Sequence, residues 1–458
     1  MHVRYLSLLA SLSSAALLSS DERYAALGLP PIEDENYGME AMSWLKREKL
    51  KTHEIMSAAG AYDLDRYSTL SKAACNGGKA ADYSCKALDM VGFVRHQDFG
   101  SKTRKGNDVW GWTSKDGREF GIVCQTDGTG FVEVLKDGSM VPLGRLPTAS
   151  SSALWRDAKV VDDHAYIVAD VGGHGMQIFD MKLLLDIKHG SPKNFTQSDL
   201  SNHFTGWGKC HNAVHNEATK TVFCSGDDKC GGKLHAVDVA DPKNPKDLGC
   251  VGTHSYSHDA HCLIYNGVDS KYNGREICFS FNEKQMVIND ITDRKSPKEL
   301  SVLKYKGAGY THQGWVATKD MKYLLMGDEM DERLPMGDNK NGNTITYIVD
   351  ISKLEAPAIT GTYFSPVKAI DHNLYVIDNL VYMSNYNTGL RIVDISSINS
   401  DPTGKGFKEI AFFDVYPEDD GKEQHGFVGA WSVYPFFKSG YILINSMERG
   451  IFAVKHQK

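Results

Sequence analysis

The feature that most constrains the fold is an internal repeat. Residues 210–251 read CHNAVHNEATKTVFCSGDDKCGGKLHAVDVADPKNPKDLGCV, which divides into four short hydrophobic runs separated by turn residues. Other units end in GREICFSFNEKQMVINDITDRKSPKELSVL (274–303), NTITYIVDISKLEAPAITGTY (343–363) and GLRIVDISS (389–397), and residues 117–147 and 164–181 fit the same frame. The third run tends to close on an aspartate, a residue suited to capping the turn that follows. Four short antiparallel strands in about 40–60 residues make one supersecondary unit that must stack on copies of itself to bury its faces. Opening runs near Trp110, Arg156, His211, His258, His312, His372 and Trp431 make seven such units. The expected fold is therefore all-β, a seven-bladed β-propeller of four-stranded antiparallel blades.

The last unit supplies only three runs, AWSVYP, YILINS and GIFAVK. The upstream run MVGFVR (90–95) is expected to complete that blade and close the ring, which removes exposed sheet edges. The expected division is a signal peptide over 1–20, a helical or irregular extension over 21–89 containing Cys75–Cys85, and the propeller over 90–458. The extension holds MEAMSWLKREKLKTHEIMSAAG, rich in helix formers and mixed in charge, which predicts a surface helix.

Location follows from both ends of the composition. A short basic start, MHVR, precedes the apolar run YLSLLASLSSAALL, the pattern of a secretory leader. The nine cysteines fall in local pairs, Cys75 with Cys85, Cys210 with Cys224, Cys230 with Cys250 and Cys262 with Cys278, and Cys124 stands apart. Four disulfides and one free thiol are expected, in keeping with an oxidising compartment. The expected location is secreted or extracellular, and no later run predicts a transmembrane segment. A net charge of −7 gives no basic footprint for nucleic acid. Of two weaker motifs, DNKNGN (338–343) resembles a calcium loop but is read as a long hairpin loop, and NFT at Asn194 is an acceptor pattern for N-glycosylation in a host that glycosylates secreted proteins.

With these runs in place, the chain resembles the choice-of-anchor B family, which carries LVIVD-type repeats. The segments that carry the resemblance are NDVWGWTSKDGREFGIV, WRDAKVVDDHAYIV, HGMQIFDM, HDAHCLIYNGVDSKYNGREICF, YTHQGW and DHNLYV, spread over about residues 75–456. The resemblance implies a secreted or surface propeller and says little about chemistry.

The first strand of a propeller blade lines the central channel. Aligning the repeats places His211, His258, His312 and His372 at equivalent positions in four consecutive blades. Each is followed by a polar residue, Asn212, Asp259, Gln313 or Asn373. Neutral imidazole suits a transition ion such as Fe, Cu or Zn, and the carboxylates of Asp259, Glu283, Glu329 and Asp331 are candidates to orient the rings. Trp110, Arg156 and Trp431, at the opening positions of the other blades, are candidate binding residues. Two functions follow. One is a binding module for an extracellular protein or glycan. The other is a metalloprotein, or a metal-dependent oxidoreductase, with the four histidines at one mouth of the channel. The same histidines also suit a ring of structural polar residues bonded to neighbouring blades.

Overall fold

The computed structural model describes residues 24–34, 36–254, 256–333, 342–422 and 424–457. The leader, and most of the DNKNGN loop, lie outside them. Seven antiparallel sheets stand in chain order. Blade 1 is built from Gly106–Thr113, Glu119–Gln125, Gly128–Val134 and Met140–Pro147, with Lys193–Asn194 added in parallel at its outer edge. Blade 2 uses Arg156–Val161, His164–Ala169, Met176–Asp180 and Asn202–Phe204, and blade 3 uses Asn212–Asn216, Thr221–Ser225, His235–Asp238 and Lys246–Cys250. Blade 4 is Asp259–Ile264, Glu276–Asn282, Gln285–Asp290 and Lys298–Lys304, and blade 5 is Thr311–Val316, Tyr323–Asp328, Ile345–Asp350 and Ala358–Phe364. Blade 6 is Leu374–Ile377, Leu380–Ser384, Leu390–Asp394 and Lys408–Phe413. Blade 7 takes Ala430–Tyr434, Tyr441–Ser446 and Gly450–His456 from the far end of the chain, and Leu88–Arg95 from upstream of blade 1 as its outer strand.

The repeated aspartate has the local role its position suggests. In blades 2 to 6, Oδ1 of Asp180, Asp238, Asp290, Asp350 and Asp394 accepts a hydrogen bond from the backbone N–H two residues on, at 2.8–3.1 Å. Each bond satisfies a donor that the strand ladder has just left unpaired, and so fixes where the third strand stops. Just past that strand's middle the pairing with the outer strand slips by one residue in blades 1 and 3 to 7, at Phe131/Val132, Ala236/Val237, Ile288/Asn289, Ile348/Val349, Ile392/Val393 and Met90/Gly92. A bulge there adds local twist and bends the outer strand away.

Four disulfides join Cys75 to Cys85, Cys210 to Cys224, Cys230 to Cys250 and Cys262 to Cys278. Cys262 and Cys278 stand directly opposite each other on adjacent strands. Cys124 is free and buried. Asn194 is exposed at the edge of blade 1.

The N-terminal extension differs from its expected form in two ways. Tyr83–Lys86 and Lys79–Ala80 add two further strands to the outer edge of blade 6. The helix, α1 (Tyr37–Ala58), is a lid over one mouth of the channel and not a surface decoration. Its Tyr37, Ala41, Trp44 and Leu45 recur at helical spacing and form one buried stripe. That stripe packs on Tyr310, Met330, Ile370, Tyr386, Phe427 and Trp431. Two hydroxyls pin the entry to the helix, Tyr24 to the Ala308 carbonyl at 2.7 Å and Tyr37 to the Gly309 carbonyl at 2.6 Å. Helix and blade 4 approach so closely at Gly38 that a Cβ there would lie 2.5 Å from Glu283 Oε2.

Candidate functional site

The first strands give the channel three layers. Beneath α1 lies a layer of histidines. His211 and His258 immediately precede their strands, and their N–H groups continue the ladder to Ser225 O (2.9 Å) and Phe281 O (2.7 Å). With His312 and His372 they form a continuous stack, with ring centroids 4.7, 4.3 and 4.3 Å apart along the series. Nδ1 of His258 bonds to the His312 carbonyl at 2.9 Å, and Nδ1 of His372 to the Trp431 carbonyl at 2.6 Å. His211 Nδ1 instead lies 3.1 Å from Asp170 Oδ2, and its Nε2 lies 2.9 Å from His258 Nε2. All four rings are buried. Burial pushes each imidazole below its ordinary pKa, His312 to about 4.

Glu329, at the end of the second strand of blade 5, closes this layer. Its carboxylate lies 3.7 Å from His312 Nε2 and 3.8 Å from His372 Nε2. Oε1 also takes a hydrogen bond from the Tyr386 hydroxyl and pairs with Lys49 Nζ at 2.7 Å. Lys49 continues the buried stripe of α1 and is 4% exposed, so a lysine reaches the mouth of the channel. Its ammonium lies 5.1, 5.5 and 5.7 Å from the ring centroids of Trp431, Phe427 and Tyr386. A carboxylate and three aromatic faces thus surround one cation. A second helix lysine, Lys46, bonds Asp170 at 2.8 Å. The cavity bounded by Lys49, His211, His258, His312 and His372 measures about 10 Å³. It has room for a single ion or water and none for an organic substrate.

The middle layer is charged. Lys159 Nζ lies 2.5 Å from Asp157 Oδ1 and 3.5 Å from Asp108 Oδ2, and 4.6 Å above the Trp110 ring. Several polar residues in or bordering this layer tie one blade to the next. Asp108 accepts from Ala158 N, Asp157 from Ala213 N and Gln313 from Leu374 N, while Asn212 donates to His258 O. Asp259 sits here too, and burial raises its carboxyl to about 7.

The third layer forms the opposite mouth. Trp110 lies at its centre, with its ring centroid 5.3–5.7 Å from those of His215, Tyr375, Tyr434 and Phe436. His261 stacks on Trp315 at 3.9 Å. His215, His261, Trp315 and Phe436 are partly exposed. Two hollows of about 180 and 330 Å³ open beside them, with Lys159 and Asp259 lining the smaller.

This placement revises the candidate residues. Of the four expected supporting carboxylates, only Glu329 faces the histidines. Asp259 belongs to the middle layer and accepts from Ala260 N. Asp331 accepts from the Tyr347 hydroxyl at 2.8 Å. Glu283 lies against Gly38 of α1, and burial lifts its carboxyl to about 8. Trp110 and Trp431 occupy opposite mouths, because Trp110 falls inside its strand and not at its start. Arg156 is 1% exposed and is no surface contact: its guanidinium donates to Thr148 Oγ1 at 2.8 Å and to His174 Nε2 at 3.0 Å. Asp170, Lys46, Lys49 and Tyr386 are the residues that sequence reasoning missed. The available signal for Lys49 was its place on an otherwise apolar helical stripe. A further trio, Asp227, Cys230 and His235, is structural, since the Cys230 sulfur is bonded to Cys250 and His235 bridges Asp227 and Asp247.

No family profile matches the chain, and no curated protein matches it in sequence. Solved structures do. A chain of Kuenenia stuttgartiensis hydrazine synthase is 11% identical with a TM-score of 0.50, covering 79% of this chain and 99% of its own. The Myceliophteria thermophila Cps50 (Swd1) β-propeller domain is 12% identical with a TM-score of 0.45, covering 76% and 96%. A protein from Lactobacillus plantarum is 12% identical with a TM-score of 0.48, covering 76% and 92%. At these identities the likeness concerns the fold alone. Among the described residues no helix is long and apolar enough to cross a membrane.

Proposed function

We propose that this chain is a secreted or cell-surface interaction module that takes an extracellular glycan or protein at the aromatic mouth of its channel. One observation carries the reading: α1 covers one mouth, whereas the other presents partly exposed rings beside two open hollows. Aromatic faces give contact area at low entropic cost, and they stack on the apolar faces of sugar rings. Lys159 and Asp259 beneath them, with His215 and His261, supply the hydrogen bonds that would fix orientation. Hollows of this size favour one or two sugar rings over a folded protein surface. Four disulfides support an oxidising compartment. The resemblance of the repeats to choice-of-anchor B proteins supports the same location.

The test is a glycan array probed with the full chain and with Trp315→Ala, alongside a pull-down from extracellular medium. The expected result is glycan binding that the substitution abolishes while the melting temperature holds. A captured protein whose binding ignores Trp315→Ala, together with a blank array, would overturn the assignment of this mouth.

A further inference from the structure

We propose that His312, His372 and Glu329 hold one transition-metal ion at the sealed end of the channel, beside the His211–His258 pair. The first argument is about tautomers. Main-chain carbonyls and a carboxylate can only accept, so the neutral rings of His258, His372 and His211 donate from Nδ1 to the His312 carbonyl, the Trp431 carbonyl and Asp170. Each of these rings therefore turns an Nε2 lone pair into the channel. Metal-bound histidines have this arrangement, with one nitrogen anchored and the other free. It also creates a conflict, because the lone pairs of His211 and His258 then face each other at 2.9 Å. A cation held close by offsets that repulsion.

The second argument is metric. With metal–nitrogen bonds of about 2.0–2.1 Å, two ligand atoms lie about 2.9 Å apart when adjacent at a right angle and about 4.2 Å apart when opposite. The 3.7 and 3.8 Å from Glu329 to His312 and His372 fall in that range. One ligand atom each from His312, Glu329 and His372 can be chosen so that all lie within 4.8 Å of one another. Glu329 Oε2 has no hydrogen-bond partner although buried, while Lys49 and Tyr386 hold Oε1.

The third argument is charge. Lys49 already balances Glu329, so an added ion needs further anions. Asp371, adjacent in sequence to His372, offers a buried carboxyl whose two oxygens have no hydrogen-bond partner. Two imidazoles and one carboxylate select a borderline ion such as Zn, Cu, Ni or Fe over Ca or Mg. The surrounding cavity of about 10 Å³ admits no substrate, so the ion would pin blades 5 and 6 together or carry an electron, and would not turn over an organic molecule.

The test uses the full chain. The expected result is about one transition ion per chain by mass spectrometry of the native protein. After unfolding in chelator and refolding, the chain should take up one equivalent of Cu2+ whose electron paramagnetic spectrum carries nitrogen hyperfine structure. His312→Gln should lower uptake at least tenfold, and His215→Gln, at the other mouth, should leave it unchanged. The spectrum of the unsubstituted chain keeps the proposal testable if His312→Gln fails to fold. A folded chain that takes up no stoichiometric ion, or Cu2+ without nitrogen ligands, would overturn it and leave a shared proton between His211 and His258. Glycan binding is read independently, so either proposal can fail alone.

Discussion

Replacing Lys49 with methionine tests the lid directly. The ammonium and Glu329 Oε1 are 2.7 Å apart and both side chains are buried. At an effective dielectric of 20, that distance corresponds to about 6 kcal/mol of attraction, most of it offset by the desolvation of both charges. Removing only the lysine strands Glu329 in the interior, a change that costs about 3–5 kcal/mol. Methionine keeps the stem packed on Trp431, Phe427 and Tyr386, so the loss reports the charge and not a cavity. An unfolding entropy of about 2.1 cal/mol/K per residue over a chain of 458 residues makes that about 3–5 °C in Tm. Calorimetry on chelator-treated protein should show this drop for Lys49→Met. The double variant Lys49→Met/Glu329→Gln, which leaves no stranded charge, should recover most of it. Equal stability of Lys49→Met and the parent chain would refute the reasoning, as would a double variant less stable than the two single losses added together.

Two further outcomes follow from the described contacts. Burial lifts the Glu448 carboxyl to about 7 while it accepts from Gly429 N at 3.0 Å, so the folded chain keeps a proton that the unfolded chain releases near pH 4.5. Its stabilising contribution is present below about pH 4.5 and lost by about pH 7; Glu448→Gln should flatten denaturant midpoints across that window and gain up to about 3 kcal/mol at pH 8. Replacing Cys262 and Cys278 together by serine opens a link across a separation of 16 residues and should cost about 3 kcal/mol, read as a matching fall in urea midpoint.

The blades were legible because two markers recur at fixed offsets, a polar or histidine start to the first strand and an aspartate at the end of the third. The histidine layer was legible for the same reason, since equivalent strand positions lie at equal depth in the channel. Depth itself was harder to read. Trp110 falls well inside Gly106–Thr113, so aligning opening residues put it in the wrong layer. Asp259 follows His258 directly, and one step along a strand takes it out of the histidine layer into the next. The charge partners came from distant segments. Asp170 follows the second strand of blade 2, and Lys46 and Lys49 belong to a helix upstream of the whole ring. No periodicity within the repeats points to them. In α1 the apolar spacing was visible, but the many surrounding charges disguised a lysine whose side chain faces inward.

The pairing of Leu88–Arg95 with Gly450–His456 has a consequence for how the molecule comes into being. The two strands lie at nearly opposite ends of the ring sequence, so this contact has the largest loop to close and is formed against the greatest chain entropy. A ribosome or translocation pore releases the second strand only after all the other blades have emerged. Until then blade 7 has only its first two strands, and Leu88–Arg95 has no strand to pair with. Closure of the ring is therefore a latch: the third strand of blade 7 captures a strand made before blade 1.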